Sequence, residues 1–482
     1  MVPDPAPPRG LPGGIDDQTS CRDPLMKTRW LLTLVPFSVA ALMMLAAACT
    51  RSDQSAKAWT LPRPVSIAGG EAWMNLFPFG VAWMSPCVDG ATAGLLLRDG
   101  DLVWSSVPTV YRESDGPTLK ATCKEWNMTL AGKVVSVSLE KGPEGREWLE
   151  KAPLPELAAV RFLTLPKEPD AALLPVLKRL ATVNPDVSLA AGSSGVLQQA
   201  LPLFRPHMLV MGDGDVVDAE ARKLMADQPQ IETVIVAGEK RGSLDFLPLL
   251  KGLRRLMVSD WDVEKAGPLP ANLHALRSIV VFGSAMRDLS ALSPAPAEVE
   301  ELSVIGCTGL KDVRSLALRP GLKTLILDGG KGAPDLSSLA GLTQLQWAGL
   351  PAGTTQDQFA AFVGAHRNLK ILELVGCEQV TDLAPLRDLN ALEGLILLGN
   401  YKNLEVVRGL KSLRFLGLAA AAFTESPEQI AACRKALPDA LVVPVSGFCL
   451  GSGWILLLFP AVALARLFAG RRRPAANHFR HG

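Results

Sequence analysis

From about Ile231 to Leu418 the chain repeats one short pattern: an apolar residue, two variable ones, an apolar, one variable and an apolar. Leu253-Arg-Arg-Leu256-Met-Val258 is one instance, and the pattern returns at 276–281, 299–304, 322–327, 342–347, 369–374, 392–397 and 413–418. The beat is about 23 residues, within the range of solenoid repeats. Each unit supplies one short strand whose apolar face cannot be buried alone, so units stack until a continuous core forms. The same pattern appears upstream at 160–165, 184–189 and 206–211. Between these lie apolar-periodic stretches, at 171–182 and 216–226, long enough for helices. The upstream part either extends the solenoid back to Val160 or forms a small three-layer α/β domain at 155–230, because alternating strands and helices suit both.

In Leu392-Glu-Gly-Leu395-Ile-Leu397-Leu-Gly-Asn400 the pattern runs on to a ninth position, and Asp288-Leu289, Asp312-Val313, Asp335-Leu336 and Asp382-Leu383 follow their strands at a similar offset. These phrases resemble the leucine-rich repeat. The resemblance implies an α/β horseshoe with one strand per repeat and the Asp-Leu elements on its convex side. It also implies Asn or Cys at the ninth position, where the side chain bonds backbone at the turn. The ninth residues are Cys307, Gly330, Leu350, Cys377 and Asn400, so three keep the pattern and two depart from it.

In such a horseshoe the first, fourth and sixth positions point inward, and the third, fifth and often seventh project from the concave strand surface. The fifth positions are Ile235, Met257, Val280, Ser303, Ile326, Gln346, Glu373, Ile396 and Gly417, and the sevenths include Phe282, Ile305, Val375 and Leu398. A stripe through Ile235, Met257, Val280, Phe282, Ile326, Ile396 and Leu398 is too apolar for plain solvent, and such a patch marks an interaction site. Glu300-Glu301 is expected as a solvated pair on the open face.

The two ends speak to location. Lys27 and Arg29 precede the uncharged residues 30–48 and then Cys49: a basic region, an apolar region and a small-residue cleavage zone, as in an export signal. Residues 1–25, rich in proline and glycine, have no role in such a signal, which makes Met26 the expected initiator. Leu45-Ala-Ala-Ala48-Cys49 resembles a bacterial lipobox with its leucine one position early. Acylation of Cys49, ordinary cleavage after Ala48 and an uncleaved anchor all fit, and the polar residues 50–57 suit a lipoprotein tether. Residues 448–465 are apolar over roughly a bilayer's width and are followed by Arg466 and Arg471-Arg472-Arg473, so the repeats are expected outside and the tail inside. A C-terminal sorting tag is the alternative to a plain anchor.

The expected order is therefore signal peptide 26–49, tether 50–57, a small tryptophan-containing β-rich domain 58–153, and a leucine-rich-repeat domain 154–445 closed by a helical cap. A transmembrane helix 446–470 and a basic cytoplasmic tail 471–482 complete it. The tryptophans of 58–153 read mainly as core anchors, with sugar or peptide stacking as the alternative. Cys87 and Cys123 are the two cysteines of that domain and an expected disulfide in an oxidising envelope.

A net charge of +1 with no basic stripe along the repeats leaves nothing to track phosphates, so no nucleic-acid partner is expected. No pair of cysteines has zinc-finger spacing, no His-Glu-x-x-His occurs, and Ala191-Gly-Ser-Ser-Gly195 holds its serines in the wrong register for a nucleophile elbow. Gly212-Asp-Gly-Asp215 lacks the spacing of a phosphate loop and reads as a repeat turn. No cofactor, metal or catalytic residue is expected. The sequence thus points to a non-enzymatic, envelope-anchored scaffold that binds a protein or peptide on its concave face. An envelope enzyme or carbohydrate-binding protein, with its activity in the N-terminal β-rich domain, is the alternative.

Overall fold

In the computed structural model, residues 126–445 are described apart from short stretches at 131–132, 141, 213–216, 237–242, 308, 328–333, 400 and 402–403, and between 57 and 123 the strands are described as backbone only. The export signal, the tether and 446–482 lie outside the described residues.

Strand pairing follows the repeat. Parallel neighbours run without a break from Lys133–Ser138 through Phe162–Thr164, Ser188–Ala191, Met208–Met211, Thr233–Val236 and Arg255–Ser259. The ladder continues through Ser278–Phe282, Glu301–Ile305, Thr324–Ile326 and Trp347–Leu350. It ends with Ile371–Val375, Gly394–Leu398, Phe415–Ala419 and Leu441–Val445. With Lys57–Thr60, Thr118–Cys123 and Asn127–Leu130, which pair antiparallel with one another and with Lys133–Ser138, they form one 17-stranded sheet. The upstream strands thus join the same sheet rather than a separate α/β layer.

Register explains the core. Leu256, Ile279, Leu302, Leu325, Ala348, Leu372, Leu395 and Leu416 stand level across successive strands, all at most 2% exposed. These fourth positions, with sixth positions such as Val258, Val281 and Leu397, point to one side and build a single apolar cluster with the convex turns.

Three sequence assignments need correcting. Leu325 pairs with Ala348, so the unit assigned to 342–347 begins at Leu345, and its fifth position is Gly349 instead of Gln346. Leu342 misled because it is apolar and fully buried itself, closing the preceding convex turn. Leu189 stands level with Leu163 and Leu209, which moves the unit assigned to Asn184 onto Asp186. The parallel ladder also starts one strand before the 153/154 boundary, since Val137 pairs with Leu163 and the helix Glu144–Lys151 returns the chain over the core. Arg179, on the helix Leu174–Val183, holds that return by donating to the carbonyls of Leu149 and Ala152, each at 2.5 Å.

On the convex side the early units carry α-helices at Leu174–Val183, Ser194–Ala200 and Ala219–Ala226, and later ones mostly carry 3-10 turns such as Ser290–Leu292, Arg314–Leu318 and Ala384–Asp388. Each Asp-Leu element starts such a turn. Asp288, Asp312, Asp335 and Asp382 accept from the backbone N–H two residues on at 2.8–2.9 Å, while Leu289, Val313, Leu336 and Leu383 are buried. Between strand and turn the chain passes through left-handed backbone at Gly283, Gly306 and Gly376, the eighth position, where an L side chain is disfavoured. Asp260 takes the same place with φ 47°.

Candidate functional site

The strand register puts the third, fifth and seventh positions on the sheet face opposite the core. Ile235, Met257, Val280, Ile326 and Ile396 lie there as expected, yet they are at most 3% exposed, and Leu398 is 8% exposed. The expectation of a solvent-facing stripe is therefore corrected: the side chains are buried. None of them belongs to the apolar cluster that holds Leu256, Leu325 and Leu395, so the sheet carries two separate buried layers, one on each face. A parallel sheet covered on both faces has near-continuous apolar strands, and Arg255–Ser259 and Gly394–Leu398 read that way, as Arg-Leu-Met-Val-Ser and Gly-Leu-Ile-Leu-Leu. Phe282 sits on its strand in the same register, but its side chain lies outside the described residues.

This second layer is not uniformly apolar. Its third positions form the row Arg255, Ser278, Glu301, Thr324 and Trp347, each at most 8% exposed. Glu301 is therefore not the solvated acid expected of it, and Glu300 beside it is half-buried and ion-paired with Lys323 at 3.2 Å. The Trp347 indole Nε1 donates to Glu373 Oε1 at 2.7 Å, with both residues 1% exposed. Among the described residues, the buried Ser278 and Thr324 hydroxyls have no hydrogen-bond partner.

Gly349 stands between Ile326 on one neighbouring strand and Glu373 on the other. A Cβ at Gly349 would lie 2.9 Å from Ile326 Cγ2, so only glycine leaves that side chain its room. The sequence assignment missed this cluster because the slipped register put Gln346 where Gly349 stands and took Trp347 for a core residue.

The cysteines of the repeat ladder play the part the resemblance implies. Cys377 Sγ lies 3.4 Å from the Pro351 carbonyl, and Cys307 Sγ lies 3.7 Å from that of Ile305. Burial pushes the Cys307 thiol up to about 12, which keeps it protonated and unreactive at neutral pH. Gly330 and Asn400 lie outside the described residues, as do Cys49, Cys87 and the side chain of Cys123.

His207 and His274 are exposed, and His366 is buried with Nδ1 2.8 Å from the Phe362 carbonyl and Nε2 3.0 Å from that of Leu339. His366 thereby ties the end of the helix Gln356–Ala365 to the preceding convex turn. Ser193, in the rejected elbow, donates to the Lys167 carbonyl at 2.7 Å, within a loop between the strand Ser188–Ala191 and the helix Ser194–Ala200. Among the described residues, no cluster of His, Cys, Asp and Glu is arranged to hold a metal, and no helix is long and apolar enough to cross a membrane.

One parallel strand per unit, a shared core register, left-handed glycines and aspartate-started convex turns together make this fold a leucine-rich-repeat solenoid. No protein-family model matches the chain, and no curated protein matches it. Among solved structures it is similar to an internalin from Listeria monocytogenes, at 19% identity over 65% of this chain and 86% of that one, with a TM-score of 0.38. Internalin C2 from the same organism aligns at 19% identity over 47% of this chain and 92% of its own, with a TM-score of 0.33. A leucine-rich-repeat protein of Leptospira interrogans aligns at 14% identity over 60% and 90%, with a TM-score of 0.29.

Proposed function

We propose that the protein is a non-enzymatic scaffold of the bacterial envelope that binds a protein or peptide partner on the concave face of its repeat sheet. The observation that carries this reading is the second layer itself. Met257, Val280, Ile326 and Ile396 form an apolar layer on the face opposite the core, apart from the cluster that stacks the repeats, and the concave side of a solenoid is where such folds present an extended binding surface.

The ends of the chain supply the location in this proposal. The export signal with Cys49, and residues 448–465 with the arginines behind them, hold the repeats outside the cytoplasmic membrane. Both segments lie outside the described residues, so the anchoring rests on hydropathy and charge.

The test is capture from solubilised envelope with the full-length protein, comparing Ile326→Asp on the concave face with Leu318→Asp on the convex side, where Leu318 is 78% exposed. A partner lost with Ile326→Asp and kept with Leu318→Asp supports the reading. A partner kept by both, in folded protein, refutes it.

A further inference from the structure

We propose that His366 is a pH-sensitive joint of the solenoid. In acid it carries a proton on both ring nitrogens, and losing one of them releases the end of the convex helix Gln356–Ala365 from the turn before it. The inference is independent of what the concave face binds.

Both partners of the ring are acceptors. Nδ1 lies 2.8 Å from the Phe362 carbonyl oxygen and Nε2 lies 3.0 Å from that of Leu339, and His366 is 3% exposed. Each distance is that of a hydrogen bond. A carbonyl oxygen only accepts, and a neutral imidazole has a single N–H, so a neutral ring serves one carbonyl and turns a lone pair toward the other. The imidazolium, with an N–H on each nitrogen, satisfies both.

Two features of the surroundings favour that charge. His366 closes a helix of 10 residues, where the last carbonyls carry the negative end of the helix dipole and a cation is stabilised. The Phe362 ring stacks on the imidazole with centroids 4.2 Å apart and planes at 30°, which sets the negative face of an aromatic ring against the positive one. Burial acts in the opposite direction, because it disfavours the charged form. Among the described residues His366 has no ion pair, so the two carbonyls, the helix end and the Phe362 ring oppose that cost without a carboxylate.

Few titratable groups belong to the elements packed around it. The helix carries Asp357 in its first turn, the preceding turn Leu336–Gly341 carries none, and the following turn Ala384–Asp388 carries Arg387 and Asp388. Arg367 is next in the chain, and all four are exposed to solvent, which screens them from the ring. The folded chain holds the proton through partners that an unfolded chain lacks, so acid favours the tied joint and rising pH removes it. Histidine is the side chain whose charge ordinarily changes between about pH 5 and 8.

The other ties of the helix decide what loosens. Its start is held by the Thr355 capping box and by Gln358 Nε2, which donates to the Pro334 carbonyl at 3.1 Å. Gln356 adds three more bonds: its Oε1 accepts from the N–H groups of Thr381 and Asp382, and its Nε2 donates to the Asp382 carbonyl. All of these join amides, a hydroxyl and backbone, so pH leaves them alone. At the far end the side-chain bond to the preceding turn comes from His366. A neutral ring that keeps Phe362 gives up Leu339, and the helix then swings about its fixed start. Leu339, Phe359 and Phe362 are buried beneath the joint, so that motion loosens the core between two adjacent units.

Hydrogen exchange read by mass spectrometry on the full-length protein tests this at about pH 5.5 and about pH 8, with protection referred to the unstructured rate at each pH. The expected result is that protection of peptides covering 359–366 and 336–342 falls several-fold at the higher pH, while that of the histidine-free helix Ser194–Ala200 holds. Equal changes in the two regions, or greater protection of the joint at the higher pH, overturn the proposal.

The variant His366→Gln separates the proton from the packing, because glutamine donates but does not titrate. In it the pH dependence of protection at the joint should vanish. Its thermal midpoint should lie below that of the unaltered protein by a gap that is wide in acid and narrows as the pH rises. A gap equal at both pH values marks a neutral pin and overturns the proposal. His207→Gln with His274→Gln, at exposed positions, should open no such gap, and a matching gap there also overturns it. Should His366→Gln fail to fold, the exchange pattern of the unaltered protein decides alone.

Discussion

Leu325 and Ile326 are adjacent, at most 2% exposed, and on opposite faces of the sheet, so the same substitution at each separates core from binding surface. Leu325→Asp removes the transfer energy of a buried leucine, about 2–3 kcal/mol, and puts a carboxylate in an apolar cluster where nothing can solvate it. Its total cost exceeds the stability of a typical domain, about 5–15 kcal/mol, or consumes most of it. Ile326→Asp loses a similar transfer term, but on a face that opens to receive a partner the carboxylate reaches water and the loss stops at about 3 kcal/mol. With a urea slope of about 3 kcal/mol/M, the midpoint moves by about 1 M or less. Urea titration followed by circular dichroism, with apolar-dye fluorescence alongside, should show Leu325→Asp without a cooperative transition. Ile326→Asp should be folded, slightly destabilised and brighter with dye. Two variants that unfold alike would show that the concave layer is as integral to the fold as the core, and the argument for a binding face would fail.

Gly306→Ala should cost about 1–2 kcal/mol, because φ is +66° there and the added Cβ meets nothing closer than 3.6 Å, so the backbone conformation alone is responsible; thermal denaturation would measure it. Arg319→Met should cost at least about 2 kcal/mol in the same assay, since the buried guanidinium donates to the carbonyls of Leu292, Ser293, Ala295 and Pro296, and a neutral outcome would mean water replaces it. A reporter active only outside the cytoplasm should give signal when fused near Pro444 and none after Arg473, and palmitate labelling should disappear in Cys49→Ala; the reverse fusion pattern or persistent labelling would reject the anchoring. Cys87 and Cys123 should be bridged in protein from intact envelope, contributing about 3–5 kcal/mol in the chain-entropy model, and mass spectrometry finding two free thiols would exclude it.

The sequence made the solenoid legible because core positions recur at a fixed offset: Leu256, Leu302, Leu325 and Leu395 each fill the same place in the stack. Asp288 and Asp335 were legible for a similar reason, since an aspartate just before a buried leucine starts a turn. Register failed where the convex turn ends in an apolar residue of its own. Leu342 precedes Leu345 by three and imitates the first position. The first parallel strand was missed because Val134, Val137 and Leu139 carry the pattern inside a stretch whose alternation also suits an antiparallel hairpin, and Asn127–Leu130 does pair with it antiparallel.

The candidate site was legible in its positions and not in its environment. The repeat places Met257 and Ile396 on the concave face, but whether that face meets water depends on what lies over it, and repeat spacing carries no information on that. Trp347 with Glu373 was hidden by the slipped register, and the one available signal was Gly349, a glycine in the middle of a strand, which marks a close approach.

Hydroxyl-radical footprinting of the membrane-inserted full-length protein, with and without its captured partner, tests the concave face most directly, because Met257 and Trp347 are oxidation-sensitive side chains on that face. Both are 1% exposed, so the account predicts that the weak labelling they show in the free protein falls further when the partner binds, while exposed His274, outside the concave strands, is unchanged. Protection at His274 with none at Met257 and Trp347 would place the partner elsewhere and contradict the account.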